Sequence, residues 1–86
     1  MSQWHVYIIR ATDQSLYTGI TTDVERRFSE HLSGVAGAKY FRGRSPEKIV
    51  LVESGYDRSG ASIREAQIKK LSRQQKLALI EKYKNL

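Results

Sequence analysis

An α+β domain, with a three-stranded antiparallel or mixed sheet flanked by helices in the order β-β-α-β-α-α, is predicted by three features of this 86-residue chain. Two short runs rich in β-branched and aromatic residues lie on either side of a turn-forming tetrapeptide, an aliphatic run stands alone in mid-chain, and capping-box patterns open two of the helical stretches. A chain of this length has room for one domain, residues 1–86, with one modest core.

Trp4 to Arg10 and Leu16 to Thr21 form the predicted hairpin, joined through Thr12-Asp13-Gln14-Ser15, whose side chains suit a turn. Thr22-Asp23-Val24-Glu25 reads as a capping box, since the Thr22 hydroxyl and the Glu25 carboxylate can each satisfy an orphan amide of a first helical turn. The helix should run to about Leu32, with Val24, Phe28 and Leu32 as its apolar stripe and Gly34 as its stop. Ser33 to Pro46 is Gly-rich and basic, the signature of an exposed loop long enough to hint at function. Lys48 to Glu53, built on Ile49-Val50-Leu51-Val52, is the third strand, expected to be buried on both faces. Helical spacing resumes near Ser59 and continues to Leu71, and Ser72-Arg73-Gln74-Gln75 caps a last helix that reaches Tyr83.

With 40% apolar and 28% charged residues the composition is that of a globular protein, not of a disordered tail or a membrane segment. The chain has no cysteine, which excludes disulfides and a thiolate zinc site and fits a cytoplasmic location. The early apolar run, Val6 to Ile9, is too short for a signal-peptide core or a membrane span, so no membrane partner is expected. Residues 1–57 hold seven Lys/Arg against seven Asp/Glu, whereas residues 58–86 hold eight against two, so the last third carries the whole net charge of +6. A one-sided basic surface concentrates polyanions, which makes nucleic acid the leading partner class; a merely solvated basic face is the alternative.

Several polar side chains make a phosphoryl-transfer inventory. Strand alternation can place Tyr7 and Tyr17 on one face of the hairpin, either as core tyrosines or as two phenols near a phosphate. Arg27 and His31, four apart on the first helix, share a face bordering the sheet, where a guanidinium fork and an imidazole can meet one anion. Glu65 falls on the inward helical line of Ala61, Ile68 and Ser72. It is either a carboxylate able to anchor one Mg²⁺ or Mn²⁺, or the partner of Arg64, Arg27 or Lys69 in an ion pair. In the mid-chain loop Lys39, Arg42 and Arg44 alternate with Tyr40 and Phe41, a mixture suited to tracking phosphates and stacking on bases, or to capping the core.

The hairpin residues His5-Val6-Tyr7 and Tyr17-Thr18-Gly19 resemble the paired motif of the GIY-YIG nuclease superfamily, with His5 and Val6 replacing Gly and Ile, and Thr18 replacing Ile. Arg27, ten residues after Tyr17, matches the family arginine; His31 falls where relatives carry histidine or tyrosine; Arg64-Glu65, followed by Ile68-Lys69-Lys70, resembles the segment that bears the family's glutamate. The resemblance covers almost the whole chain, and with Leu16 to Asp23, Glu25-Arg26-Arg27 and Gly37 to Tyr40 it is closest to the small single-domain bacterial group. Whether Asn85 fills the family's asparagine position after the last helix stays open.

The resemblance implies the GIY-YIG endonuclease fold and phosphodiester hydrolysis with one Mg²⁺ or Mn²⁺ held by Glu65 and no small-molecule cofactor. Arg27 would then stabilise developing charge, Tyr17 would serve as general base or water positioner, Tyr7 as orienting hydrogen-bond partner, and His31 as proton carrier or phosphate ligand. Lys39, Tyr40, Arg42, Arg44, Lys69 and Lys70 would hold nucleic acid, DNA ahead of RNA, with low sequence specificity and a place in DNA repair or processing. A binding module of the same fold without hydrolysis is the alternative.

Overall fold

The computed structural model describes residues 3–34, 41 and 43–84. Its elements follow the expected order: strands β1 (Trp4–Ala11) and β2 (Leu16–Thr21), helix α1 (Val24–Ser33), strand β3 (Pro46–Tyr56), and helices α2 (Arg58–Lys69) and α3 (Arg73–Lys84). The sheet is antiparallel throughout, in the order β2-β1-β3.

β1 is therefore the central strand, and Val6, Tyr7, Ile8 and Ile9 are each no more than 1% exposed. Alternation sends Val6 and Ile8 to one face, where they join Leu51, Ala61, Ile68 and Ile80 in the core beneath α2 and α3. Tyr7 goes to the other face, under α1. Burying each aliphatic side chain in that core contributes about 1.5–3 kcal/mol, which is why so short a chain concentrates its apolar residues in one strand.

The expectation for β3 is corrected. It is an edge strand running from Pro46 to Tyr56, well beyond Lys48–Glu53, and Val52 is 40% exposed. The both-faces-buried role belongs to Val6–Ile9, because the central strand is flanked by a neighbour on each edge as well as by helices, whereas β3 leaves one edge unpaired. Two local expectations shift as well. The cap of α1 is Asp23 rather than Thr22, its carboxylate accepting from Arg26 N at 3.0 Å. The stripe of α1 does not end in the core, since Leu32 is 60% exposed and the buried residue of this helix is His31.

Other local signals act as predicted. Gly34 terminates α1 in the left-handed region at φ 77°, and its amide donates to Glu30 O. Ser72 and Gln75 form a reciprocal capping box at 2.9 and 3.2 Å. The hairpin turn is secured by Asp13, which accepts from the Ser15 amide and hydroxyl, and by Gln14 at φ 73°. None of the helices among the described residues is long and apolar enough to cross a membrane.

Candidate active site

The β1–β2 register pairs Tyr7 with Gly19 and Ile9 with Tyr17, which puts both phenols on one face of the hairpin. Their ring centroids are 6.2 Å apart. α1 crosses that face and delivers His31, whose Nε2 lies 3.1 Å from Tyr7 Oη and whose ring meets that of Tyr17 edge-on at 5.3 Å. Arg27, one turn earlier, interacts with the Tyr7 phenol and is ion-paired to Glu30 Oε1 at 3.2 Å. Phe41 covers the cluster, 5.2 Å from Tyr17 and 4.7 Å from His31.

Gly19 makes this packing possible. A Cβ at Gly19 would stand 2.6 Å from Tyr7 Oη and 2.8 Å from Tyr7 Cζ, inside any permitted contact. Its backbone is not among the positive-φ glycines, so the requirement is for space and not for an unusual torsion.

Burial shapes the chemistry here. The Tyr7 phenol is pushed up from its ordinary value, first by burial and then by Tyr17, against the opposing pull of Arg27, so Tyr7 stays protonated. His31, 3% exposed, is lowered to about 4 by burial and by the Arg27 cation, so the imidazole is neutral at physiological pH. Burial thus works against the expected role of a proton carrier titrating near neutrality. Nδ1 of His31 is buried without a hydrogen-bond partner among the described residues. A lone pair is cheaper to leave unmatched there than an N–H, which favours the tautomer in which Nε2–H donates to Tyr7 Oη. The Tyr7 hydroxyl proton is then directed to Tyr17, its other side-chain hydrogen-bond partner.

The sign of the pH effect follows from that depression. The unfolded chain binds a proton at His31 below about 6.5, whereas the folded chain resists until about 4. Stability associated with His31 is complete above the unfolded value and is lost as pH falls through this window, about 2 kcal/mol by pH 5. Imidazole resonances of His31 should keep neutral-ring positions from pH 8 to 5; titration midway, near 6.5, would contradict the buried geometry.

Glu65 lies apart from this cluster. It sits on α2, which packs on the Val6/Ile8 face, and its carboxylate is 3.3 Å from Lys69 Nζ, the ion-pair alternative open at the sequence level. Its side chain is 23% exposed. At 100° per residue, Arg64 and Glu65 flank the buried line of Ala61 and Ile68 on opposite sides. Because Arg64 reaches Glu53 on β3, the Glu65 flank is turned toward β2, the strand that carries Tyr17.

Among the described residues no three His, Cys, Asp or Glu side chains cluster as metal ligands. A single hard-oxygen carboxylate fits a hydrated Mg²⁺ or Mn²⁺ shared with substrate oxygens and does not fit an all-protein cage.

Of the expected nucleic-acid contacts, Lys39, Tyr40 and Arg42, with Asn85, lie outside the described residues. Arg44 is half-buried and engages the hairpin turn through Ser15 Oγ at 3.0 Å and Asp13 at 3.4 Å, so it anchors the loop. Lys69 and Lys70 are exposed at the end of α2. From Ala66 to Ile80 the chain has four basic residues, Lys69, Lys70, Arg73 and Lys76, and no acidic one.

The sequence reading passed over Glu53. This carboxylate, 6% exposed, accepts from Arg64 Nε and a second Arg64 nitrogen at 2.8 and 3.0 Å, from Tyr56 at 3.0 Å and from Tyr83 at 2.8 Å. Hydrogen bonding from Arg64 holds it below the usual carboxylate range. Its only sequence signal is an acid at the end of an aliphatic strand.

The comparisons with known proteins identify the family. The model of the GIY-YIG catalytic domain matches residues 3–78. A UPF0213 protein of Syntrophus aciditrophicus is 51% identical over 81 residues, spanning 94% of this chain and 93% of its own. A UPF0213 protein of the archaeon Haloquadratum walsbyi is 51% identical over 82 residues, spanning 94% and 91%. The solution structure of a UPF0213 protein from Bacillus halodurans superposes with a TM-score of 0.58 at 43% identity, covering 92% of this chain and 83% of that one. With the paired tyrosines, the helix arginine and the β-β-α-β-α-α order in place, the chain belongs to the GIY-YIG catalytic-domain family.

Proposed function

We propose that this protein is a metal-dependent endonuclease that hydrolyses phosphodiester bonds in DNA, selecting by structure more than by sequence, in repair or processing, and that residues 1–86 act as one domain. The observation that carries the reading is the convergence of Tyr7, Tyr17, Arg27 and His31 on one sheet face, with Gly19 holding the space for the Tyr7 phenol.

In this reading Arg27 binds a non-bridging phosphate oxygen and stabilises the charge that grows as water adds to phosphorus. Tyr7, held by His31 Nε2–H, turns its hydroxyl from Tyr17 to donate a hydrogen bond to a second oxygen. Tyr17 is only half-buried, within reach of solvent, and serves as water positioner or general base for the attacking water. The phosphorus–oxygen bond to the leaving nucleotide breaks, and solvent protonates that oxygen. A divalent ion held at Glu65 would supply Lewis acidity at the phosphate. The basic stretch at Lys69, Lys70, Arg73 and Lys76 tracks the flanking backbone through counterion release.

A second reading, binding without hydrolysis, is favoured by the Glu65–Lys69 pair and by the packing of α2 on the opposite face. One experiment separates the two. The protein is incubated with flap, junction, single-stranded and RNA substrates, with Mg²⁺ or Mn²⁺ and with chelator, and binding is titrated with salt. Cleavage that requires the metal, together with steeply salt-dependent binding, is the expected result. Salt-dependent binding without cleavage under any condition selects the binding module.

A further inference from the structure

We infer that Glu53 is a positioning residue that acts through Arg64 to set the direction in which Glu65 is presented, an inference that rests on the reading of Glu65 as the metal ligand. Glu53 is the buried junction of three elements. It belongs to β3, its partners Arg64 and Tyr83 belong to α2 and α3, and Tyr56 closes the ring from the end of its own strand. Four donated hydrogen bonds occupy the carboxylate, so it has one arrangement rather than several.

The coupling to Glu65 is geometric. Ala61 and Ile68 seat α2 on the sheet through apolar contacts, which are non-directional and do not by themselves fix the roll of the helix. Arg64 removes that freedom, because a planar guanidinium bonded through two nitrogens to one buried carboxylate fixes both the distance and the plane of the pair. Glu65 is the next residue, about 100° round the helix, so any roll that loosens Arg64 swings the Glu65 carboxylate by the same angle. Glu65 has no comparable anchor of its own, since its ion pair is to Lys69, whose side chain is 55% exposed. The direction of the proposed ligand is thus set from the far side of its own helix.

Three variants test the assignment: Glu53→Gln, which weakens the Arg64 pair; Arg64→Lys, which keeps both charges but loses the fork; and Tyr83→Phe, which removes one bond to Glu53 and leaves Arg64 in place. Circular dichroism checks folding, and should Glu53→Gln fail to fold, Arg64→Lys carries the test. Two readouts need no turnover: the carboxyl ¹³C shift of Glu65 in metal-free protein, and the Mn²⁺ concentration that half-broadens resonances around Glu65.

In Glu53→Gln and Arg64→Lys the ¹³C shift should move and the Mn²⁺ half-saturation should rise about tenfold, as for partners that orient a metal ligand. In Tyr83→Phe both should stay at wild-type values. A folded Arg64→Lys protein with wild-type Mn²⁺ half-saturation overturns the inference. If wild-type protein takes up no Mn²⁺ at Glu65, the metal reading fails by itself. The positioning role is then decided by the ¹³C shift in Arg64→Lys: movement supports it and constancy overturns it.

Discussion

Replacing Glu65 by alanine should lower metal-dependent cleavage on the order of 10³-fold while leaving affinity for DNA nearly unchanged. The reasons are local. Glu65 is the proposed anchor of the ion, and no second carboxylate, histidine or cysteine among the described residues forms a ligand cluster to replace it. Its loss frees Lys69, which is exposed and gains rather than loses availability to phosphate. The cost to the fold is small, because an i,i+4 pair on a helix surface contributes about 0.3–0.5 kcal/mol and alanine is the better helix former. Single-turnover cleavage beside equilibrium binding and a thermal melt reads all three quantities. Cleavage at the wild-type rate in a folded, metal-supplied Glu65→Ala protein would remove Glu65 from the mechanism.

Gly19→Ala should damage stability and activity together. The added methyl collides with the Oη and Cζ atoms of Tyr7, and the ring has little room to yield, being 1% exposed and flanked by Tyr17 and His31. Overpacking of this kind costs about 1–3 kcal/mol. The displaced phenol also loses its 3.1 Å contact with His31, and a shift of about 1 Å in a positioning group lowers turnover by about 10²-fold. The double variant Tyr7→Phe/Gly19→Ala discriminates between the two consequences. Removing the hydroxyl relieves the closest contact, so part of the lost stability returns in a denaturant titration, whereas cleavage does not recover. Additive stability losses in the double variant would mean that the hydroxyl clash is not the cause.

The neutral His31 alters how the site is divided. A residue that reads in the sequence as a pH-active group is held against Tyr7 as a neutral ring, because burial and the neighbouring Arg27 both disfavour its cation. In the proposed mechanism the half-exposed Tyr17 is then the residue nearest the attacking water. The Arg27–Glu30 pair keeps the guanidinium in place on the same helix.

The aliphatic runs, the turn tetrapeptide, Gly34 and the Ser72 capping box were enough to order the six elements, because each acts through its immediate neighbours. The spacing of Tyr7, Tyr17, Arg27 and His31 carried most of the candidate site for the same reason: strand alternation and the helical repeat are local periodicities. What lay outside that reach depends on which strand is central and on which helix covers which face. Placing β1 between β2 and β3 buried all of Val6–Ile9, whereas of Ile49–Val52 only Leu51 is fully buried. α1 turned His31 inward and left Leu32 exposed, while Glu53 found its partners 3, 11 and 30 residues away. Such pairings are set by the packing of whole elements, so only the tertiary structure decides which polar residue is buried and which acidic group is held fixed.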